Sequence, residues 1–185
     1  PKLKKISSNR ILKKKILLIS DDLRFNSGVA TATKEIVLGT CHKYDWVQIA
    51  AALNHPDHGK VIDLSQEIAK ETDVEFPYVK QYCCNGYGNQ DIIREVISYE
   101  KPDALMIFTD PRFFGHVFAM EHELRTELKI PVIYYSIWDN FPVSRWNSSS
   151  YASCDLLMCI NKQTKIITEQ CLEGHGTETT DIDKL

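Results

Sequence analysis

Residues 15–35 read KILLISDDLRFNSGVATATKE, and this stretch decides the fold. Four consecutive apolar residues, 16–19, predict a strand that is covered on both faces, as in a parallel sheet. Asp21 and Asp22 end the strand, and a helical pattern begins at Gly28, where close backbone approach is possible. Open α/β sheets bind ligands where the carboxyl end of a strand meets a helix N-terminus. The loop between strand and helix is therefore the first candidate site.

The remainder of the chain continues the alternation of strands and helices. Apolar runs predict strands at residues 15–20, 46–53, 60–64, 78–84, 103–108, 131–137 and 155–160. One-sided apolar patterns predict helices at about 28–43, 89–99, 113–129, 147–153 and 162–173. This alternation is typical of an α/β protein with parallel strand pairing. We expect a Rossmann-like three-layer sandwich around a mostly parallel central sheet.

Composition and charge exclude several classes of function. The chain has 185 residues, of which 43% are hydrophobic and 25% charged, and this suits one sizeable globular domain. The net charge of -3 argues against nucleic acid as a partner. No apolar run approaches the roughly 20 residues of a membrane helix, and no signal peptide is recognisable. We expect a cytoplasmic protein without a membrane span.

The sequence also predicts how the chain is organised along its length. Residues 1–13 are rich in lysine and arginine and are expected to form a flexible leader. Residues 14–173 form the predicted Rossmann-like domain. Residues 174–185 are polar and lack apolar periodicity, so we expect them to lead toward a second domain that this chain lacks.

Patterns for metals and for common nucleotide sites are absent from the sequence. The GxGxxG fingerprint and the GxxxxGK[ST] motif are both missing. The six cysteines are not spaced as zinc ligands, and His55 and His58 have no second ligand pair at a suitable distance along the chain. We therefore predict no metal site and no resident cofactor.

Three passages resemble a known family. They are SDDLRFNSGVATATKEIVLG (20–39), IPVIYYSIWDNFPVSRWN (130–147) and YASCDLLMCINKQTKIITEQ (151–170). Together with DALMIFTD (103–110), they are similar to the N-terminal Rossmann-like half of GT-B-fold glycosyltransferases of the retaining glycogen-synthase-like and sucrose-synthase-like group. The chain departs from that pattern at Ser27, where the family often has a glycine before Gly28. It departs again at Trp138, which stands where the family has a histidine before the aspartate.

The resemblance implies a hexosyltransferase that moves a sugar from a nucleotide-sugar donor to an acceptor. In such enzymes the N-terminal half binds the acceptor, while most contacts to the donor come from the C-terminal domain. The transition state resembles an oxocarbenium ion, and negative charge develops on the leaving diphosphate. A fragment without the second domain is expected to be inactive.

The resemblance and the strand ends together suggest the site residues. Gly28, with the backbone amides of Val29 and Ala30 at a helix N-terminus, would approach the donor phosphates, and Ser27 belongs to the same loop. Asp139 is the main catalytic candidate, and His116 is a candidate acid or base. The remaining candidates would contact the acceptor or the donor: Asp22, Asp110, Arg112, Trp138 and Arg145. Residues 85–89 form a further loop on which acceptor choice would depend.

Two other classes of function fit parts of the sequence. A phosphoacceptor domain resembling response-regulator receivers would bind magnesium at Asp21 and Asp22 and be phosphorylated on Asp110, and it would also use Ser136 and Lys162. The 88 positions between Asp22 and Asp110 argue against it. A non-catalytic α/β binding module would need no second domain.

Overall fold

The computed structural model describes residues 12–173, and these form an α/β fold with a central seven-stranded sheet. The strands are β1 (Lys14–Asp21), β2 (Tyr44–Ala52), β3 (Val61–Asp63), β4 (Val79–Asn85), β5 (Ala104–Phe108), β6 (Val132–Ser136) and β7 (Leu156–Cys159). Helices flank the sheet, so the predicted Rossmann-like three-layer sandwich is confirmed. Of the predicted leader over 1–13, residues 1–11 lie outside the described residues, and so does the predicted tail over 174–185.

The order of the strands across the sheet is β3-β4-β2-β1-β5-β6-β7. Every strand pair is parallel except β3 with β4, which is antiparallel at the edge of the sheet. The six parallel strands, numbered among themselves, follow the order 3-2-1-4-5-6 of dinucleotide-binding folds, whereas receiver domains follow 2-1-3-4-5. The order reverses between β1 and β5.

Six α-helices connect these strands in the described part of the chain. They are α1 (Gly28–Thr40), α2 (Ser65–Thr72), α3 (Gln90–Glu100), α4 (Gly115–Phe118), α5 (Ser148–Ala152) and α6 (Lys162–Leu172). Side-chain oxygens of Ser27, Asn89 and Asn161 cap α1, α3 and α6 by accepting hydrogen bonds from backbone amides. No helix within residues 12–173 has the length and apolarity that a bilayer span requires.

Two helix predictions differ from the structure. α2 is not predicted by the sequence. Its eight residues bury only Ile68, and one buried position does not produce a helical period of apolar residues. The helix predicted over 113–129 is broken into a 3-10 turn at Pro111–Phe114, the short α4 and a π-helical turn at Glu123–Glu127. Apolar residues in all three pieces share one face, and this shared face is why the pattern resembled one helix.

The core has two parts, one on each face of the sheet. On one face, Leu17 and Ile107 pack with side chains of α3, α6 and the segment 111–127. On the other face, Leu18 and Phe108 pack with α1 and α2. β1 is covered on both sides, as its unbroken apolar run predicts, and residues 17–19 are 0% exposed.

A buried carboxylate ties the amino ends of the strands to the end of α3. Glu100 accepts hydrogen bonds from Lys15 Nζ (2.7 Å), Tyr78 Oη (2.9 Å) and Tyr82 Oη (2.7 Å). Burial acts to raise the pKa of Glu100, but these donors outweigh it and hold the pKa below its usual value. The ionised form of Glu100 therefore stabilises the folded state.

Glu100→Gln should destabilise the domain by about 2 kcal/mol at pH 7, because it removes charge-assisted hydrogen bonds at a buried site. The pKa of Glu100 is depressed in the folded state, so its contribution is present above the unfolded pKa and is lost as pH falls below about 4.3. The difference in the free energy of unfolding between wild type and variant, measured with urea, should be smaller at pH 3.5 than at pH 7. The exposed Glu95 on the same helix provides the control, and Glu95→Gln should change little.

Candidate functional site

The reversal of strand order between β1 and β5 creates a crevice at the carboxyl edge of the sheet. The chain leaves β1 toward α1, which packs on one face, and leaves β5 toward the 3-10 turn, which packs on the other. The two strands are neighbours in register, with Ile19 opposite Ile107. Connections that depart to opposite faces leave a gap between them, and ligands bind at such switch points. The loops that follow β1 and β5 therefore form the candidate site.

The loop after β1 ends in an ordered helix N-terminus. Ser27 Oγ accepts a hydrogen bond from the Ala30 amide (3.0 Å) and donates one to Asp21 Oδ2 (2.7 Å). The amides of Gly28 and Val29 lie in the first turn, where the helix itself supplies no acceptor. A Cβ at Gly28 would meet no atom within 4 Å. Of the two predicted phosphate-binding amides, that of Ala30 is occupied by the Ser27 cap. The Val29 amide, next to Gly28, lies at the positive end of the α1 dipole.

Asp22 anchors the same loop to the sheet and is 0% exposed. Its carboxylate accepts from Arg24 Nη2 (2.6 Å) and Nε (3.1 Å), from Gln81 Nε2 (2.8 Å) and from His55 Nε2 (2.9 Å). Burial acts to raise the pKa of Asp22, but these hydrogen bonds outweigh it and hold the pKa below its usual value. Asp22 is thus committed to a buried ion pair rather than to a ligand.

A row of polar side chains extends this network through the sheet. Gln81 Nε2 also donates to Gln48 Oε1 (2.8 Å), and Gln48 Nε2 donates to Ser20 Oγ (2.9 Å). Thr33 Oγ1 on α1 completes the row with a hydrogen bond to the same hydroxyl (3.1 Å). Because these groups are buried, each hydrogen bond fixes the position of β1 and α1 relative to β2 and β4.

Asp22, His55 and Cys83 could in principle hold a metal, since one ligand atom from each lies within 4.8 Å of the others. The histidine argues against this role. His55 Nδ1 accepts a hydrogen bond from the Asp57 amide (3.0 Å), so Nε2 carries the proton and donates to Asp22. Neither ring nitrogen has a lone pair free for a metal. The Arg24 guanidinium, 3.5 Å from Cys83 Sγ, supplies the positive charge.

Asp22→Ala should destabilise the domain by about 3–5 kcal/mol, because it leaves the partners of a buried carboxylate unpaired. Urea unfolding followed by circular dichroism measures the loss. The matched control is Asp57→Ala, which removes the second, more exposed carboxylate that contacts Arg24 and should have a much smaller effect. Equal losses for the two variants would show that Asp22 does not anchor the loop.

The loop after β4 crosses the crevice through Tyr87. Its hydroxyl donates to Asp21 Oδ1 (2.6 Å), and its ring stacks on Phe113 with 5.2 Å between centroids. Gly86 and Gly88 flank it with φ angles of 61° and 77°, a conformation that glycine adopts without strain. The turn therefore presents Tyr87 in a fixed direction and links β4 to β1 and β5.

The loop after β5 carries two of the predicted residues in contact with a third. Arg112 binds Asp110 through Nη2, and its Nε lies 2.9 Å from Asp110 Oδ1. The Arg112 guanidinium carbon lies 5.5 Å from the centre of the Trp138 ring, within cation–π distance. Burial acts to raise the pKa of Asp110, but Arg112 outweighs it and lowers the pKa. Thr109, just before, has a φ of 152°, which is rare for a β-branched residue and is found at functional sites.

His116 lies behind the aromatic pair instead of facing the crevice openly. Its Nε2 lies 3.2 Å from the Tyr87 carbonyl oxygen. Burial lowers the pKa of His116, although hydrogen bonds to the carbonyls of Tyr87 and Phe113 oppose the shift. In this position the imidazole supports the backbone of both stacked residues.

The other predicted residues lie on the far side of the crevice, in the loops after β6 and β7. Asp139 is exposed; its backbone carbonyl accepts from Gln163 Nε2 (3.0 Å), and its carboxylate has no hydrogen bond to any residue within 12–173. Arg145 is exposed and lies 3.9 Å from Glu173. Ser136 is fully buried, whereas Lys162 is exposed in the first turn of α6. No contact joins Lys162 to Asp110 among the described residues.

Nucleophilic cysteine chemistry has no support in this structure. Burial raises the pKa of Cys83, Cys84, Cys154, Cys159 and Cys171, so these thiols stay protonated at neutral pH.

A cavity of about 610 Å³ lies at the opposite, amino edge of the sheet, between Lys14, Pro102 and Leu128. Because parallel sheets bind ligands at the carboxyl edge, the crevice is the candidate site.

The sequence predicts the loop at residues 85–89 as part of the site without singling out Tyr87 in it. It does not indicate Phe113, nor Arg24 and His55 in the buried network around Asp22. The pair Gly86 and Gly88 around Tyr87 was the available signal for the first, since glycines enclosing one aromatic mark a shaped turn. Nothing in the sequence paired Asp22 with His55, which comes 33 residues later.

No protein-family model matches the chain, and no curated protein is significantly similar to it.

Proposed function

We propose that this chain is the N-terminal, acceptor-side domain of a retaining hexosyltransferase that uses a nucleotide-sugar donor. A donor-binding domain would face the carboxyl edge of the sheet. The observation that carries the proposal is the arrangement at the switch point. The α1 N-terminus with its open Gly28 stands on one side, and the Asp110–Arg112–Trp138 cluster stands on the other.

The chemistry assigns different tasks to the two sides. Negative charge develops on the leaving diphosphate, and the amides of Gly28 and Val29 would stabilise it from a fixed position. The acceptor hydroxyl must be held in line with the sugar carbon, which the loops after β5 and β6 would do. Asp139, whose carboxylate is exposed and has no hydrogen bond within residues 12–173, is the candidate catalytic group in the second loop.

The two alternatives have less support from the geometry. A receiver needs free carboxylates for magnesium, but Asp22 is paired with Arg24, Asp21 accepts from Tyr87 and Ser27, and Asp110 is paired with Arg112. Its strand order is also different. A binding module would use the same crevice without turnover.

A cytoplasmic location is part of our proposal, since all six cysteines are described and none forms a disulfide.

Gly28→Trp should abolish transfer, with a loss of at least about 100-fold, because the indole would fill the space into which the helix amides point. The assay follows donor hydrolysis and transfer with a panel of nucleotide sugars, using this chain joined to its proposed second domain. Gly39→Trp is the matched control, because Gly39 lies on the same helix with equally open surroundings, near its other end. It should retain full turnover.

Two results would contradict the proposal. If no donor is turned over, the chain is not part of a glycosyltransferase, and incorporation of label from acetyl phosphate on Asp110 would favour the receiver. If Gly28→Trp is as active as Gly39→Trp, the α1 N-terminus does not contact the donor.

A further inference from the structure

We propose that the outer edge of β7 pairs with β7 of a second copy of this chain, so that the protein forms a two-fold symmetric dimer with one continuous sheet. β7 is the last strand of the sheet, two strands away from β5. The dimer contact therefore lies apart from the crevice, and the inference does not depend on the proposed function.

The two edges of the sheet differ in how they are protected against pairing. The β3 edge is three residues long, follows Lys60 and ends in Asp63, and short charged edges oppose pairing with another chain. β7 reads LLMC, without a charge, a proline or a glycine. Its pairing with β6 continues on either side, since the amides of Asp155 (2.8 Å) and Ile160 (3.1 Å) donate to backbone carbonyls of β6. Within residues 12–173, no strand pairs with the outer side of β7.

One face of β7 is apolar and open to solvent. Leu156 and Met158 are both 38% exposed, and Ile160, which follows on the same side, is 47% exposed. Leu156 lies opposite Ile133 of β6 and Met158 lies opposite Tyr135, so these side chains belong to the face that carries α1 and α2. α1 packs on β1 and α2 packs on β4, which leaves the β7 side of this face uncovered by either helix.

A two-fold axis perpendicular to the sheet brings these apolar side chains together with their copies. Such an axis makes the two strands antiparallel and keeps each face of the sheet continuous. With the axis at Met158, this residue lies opposite its own copy, and Leu156 lies opposite Ile160 of the second copy. The exposed side chains of both strands then cover one another, and both strands gain backbone hydrogen bonds.

The charges beside the strand fit this register. Asp155, which is paired with Arg125 of its own chain (2.9 Å), comes opposite Asn161 of the second copy, and the exposed Lys162 of that copy follows directly. The two Asp155 carboxylates are separated by about 20 Å along the paired strands, so they do not repel each other at close range. Pairing of β7 with β3 of another copy would place charged residues against the apolar strand and would not close.

Sedimentation of the 185-residue chain over a concentration series tests the dimer. Wild type should form dimers. Met158→Lys and Met158→Glu each place like charges directly opposite each other at the axis, so each should raise the dimer dissociation constant at least about tenfold. An equimolar mixture of the two variants should form dimers again, because Lys then lies opposite Glu. A change in folding alone would not produce this rescue.

Val61→Lys is the matched control, because Val61 is 56% exposed on β3 at the other edge of the sheet. This variant should form dimers as wild type does, and thermal unfolding should show that all three variants fold. The proposal is overturned if wild type is monomeric, if Met158→Lys forms dimers like wild type, or if the mixture stays monomeric. Loss of the dimer in Val61→Lys would also overturn it, since the contact would then involve the β3 edge.

Discussion

The geometry of the crevice depends on one buried carboxylate. Asp22 follows β1 directly, and an ionised group in that position would oppose folding unless it were neutralised. Arg24 neutralises its charge, and Gln81 and His55 donate further hydrogen bonds to it. These three residues lie in the loop after β1, in β4 and in the loop after β2. The loop after β1 is therefore fixed by β2 and β4 together. The position at which α1 begins is a consequence, and so is the direction of its first amides.

A second carboxylate, Asp21, joins the two sides of the crevice. One of its oxygens accepts from Ser27, which caps α1, and the other accepts from Tyr87 in the loop after β4. Burial and the nearby Asp21 both raise the pKa of Tyr87, so its hydroxyl stays a donor throughout the physiological range. The helix N-terminus and the loop after β4 thus share one hydrogen-bonded partner.

The sequence predicted the fold better than the site, and the physical reason is range. Strands such as β1 and β5 declare themselves in consecutive apolar residues, and helix starts at Ser27, Asn89 and Asn161 follow local capping chemistry. The Asp22 network joins residues that are up to 59 positions apart, and no local pattern encodes those pairs. Phe113 looked like part of a long helix, because its neighbours Phe114 and Val117 follow a helical period. Only the break of that helix turns Phe113 outward.

The segment after β5 contacts the loops on both sides of it. Adjacent residues lie about 100° apart around an α-helix and about 120° apart around a 3-10 turn, so their side chains diverge. The 3-10 turn, which Asp110 caps and Pro111 begins, holds Arg112 toward the loop after β6 and Phe113 toward the loop after β4. The unusual φ of Thr109 sets the angle at which this turn leaves the strand, and the Tyr134 hydroxyl secures it by donating to the Thr109 carbonyl (2.8 Å). The surrounding contacts thereby hold Thr109 in a strained conformation. Strained residues of this kind are found at sites that position a ligand.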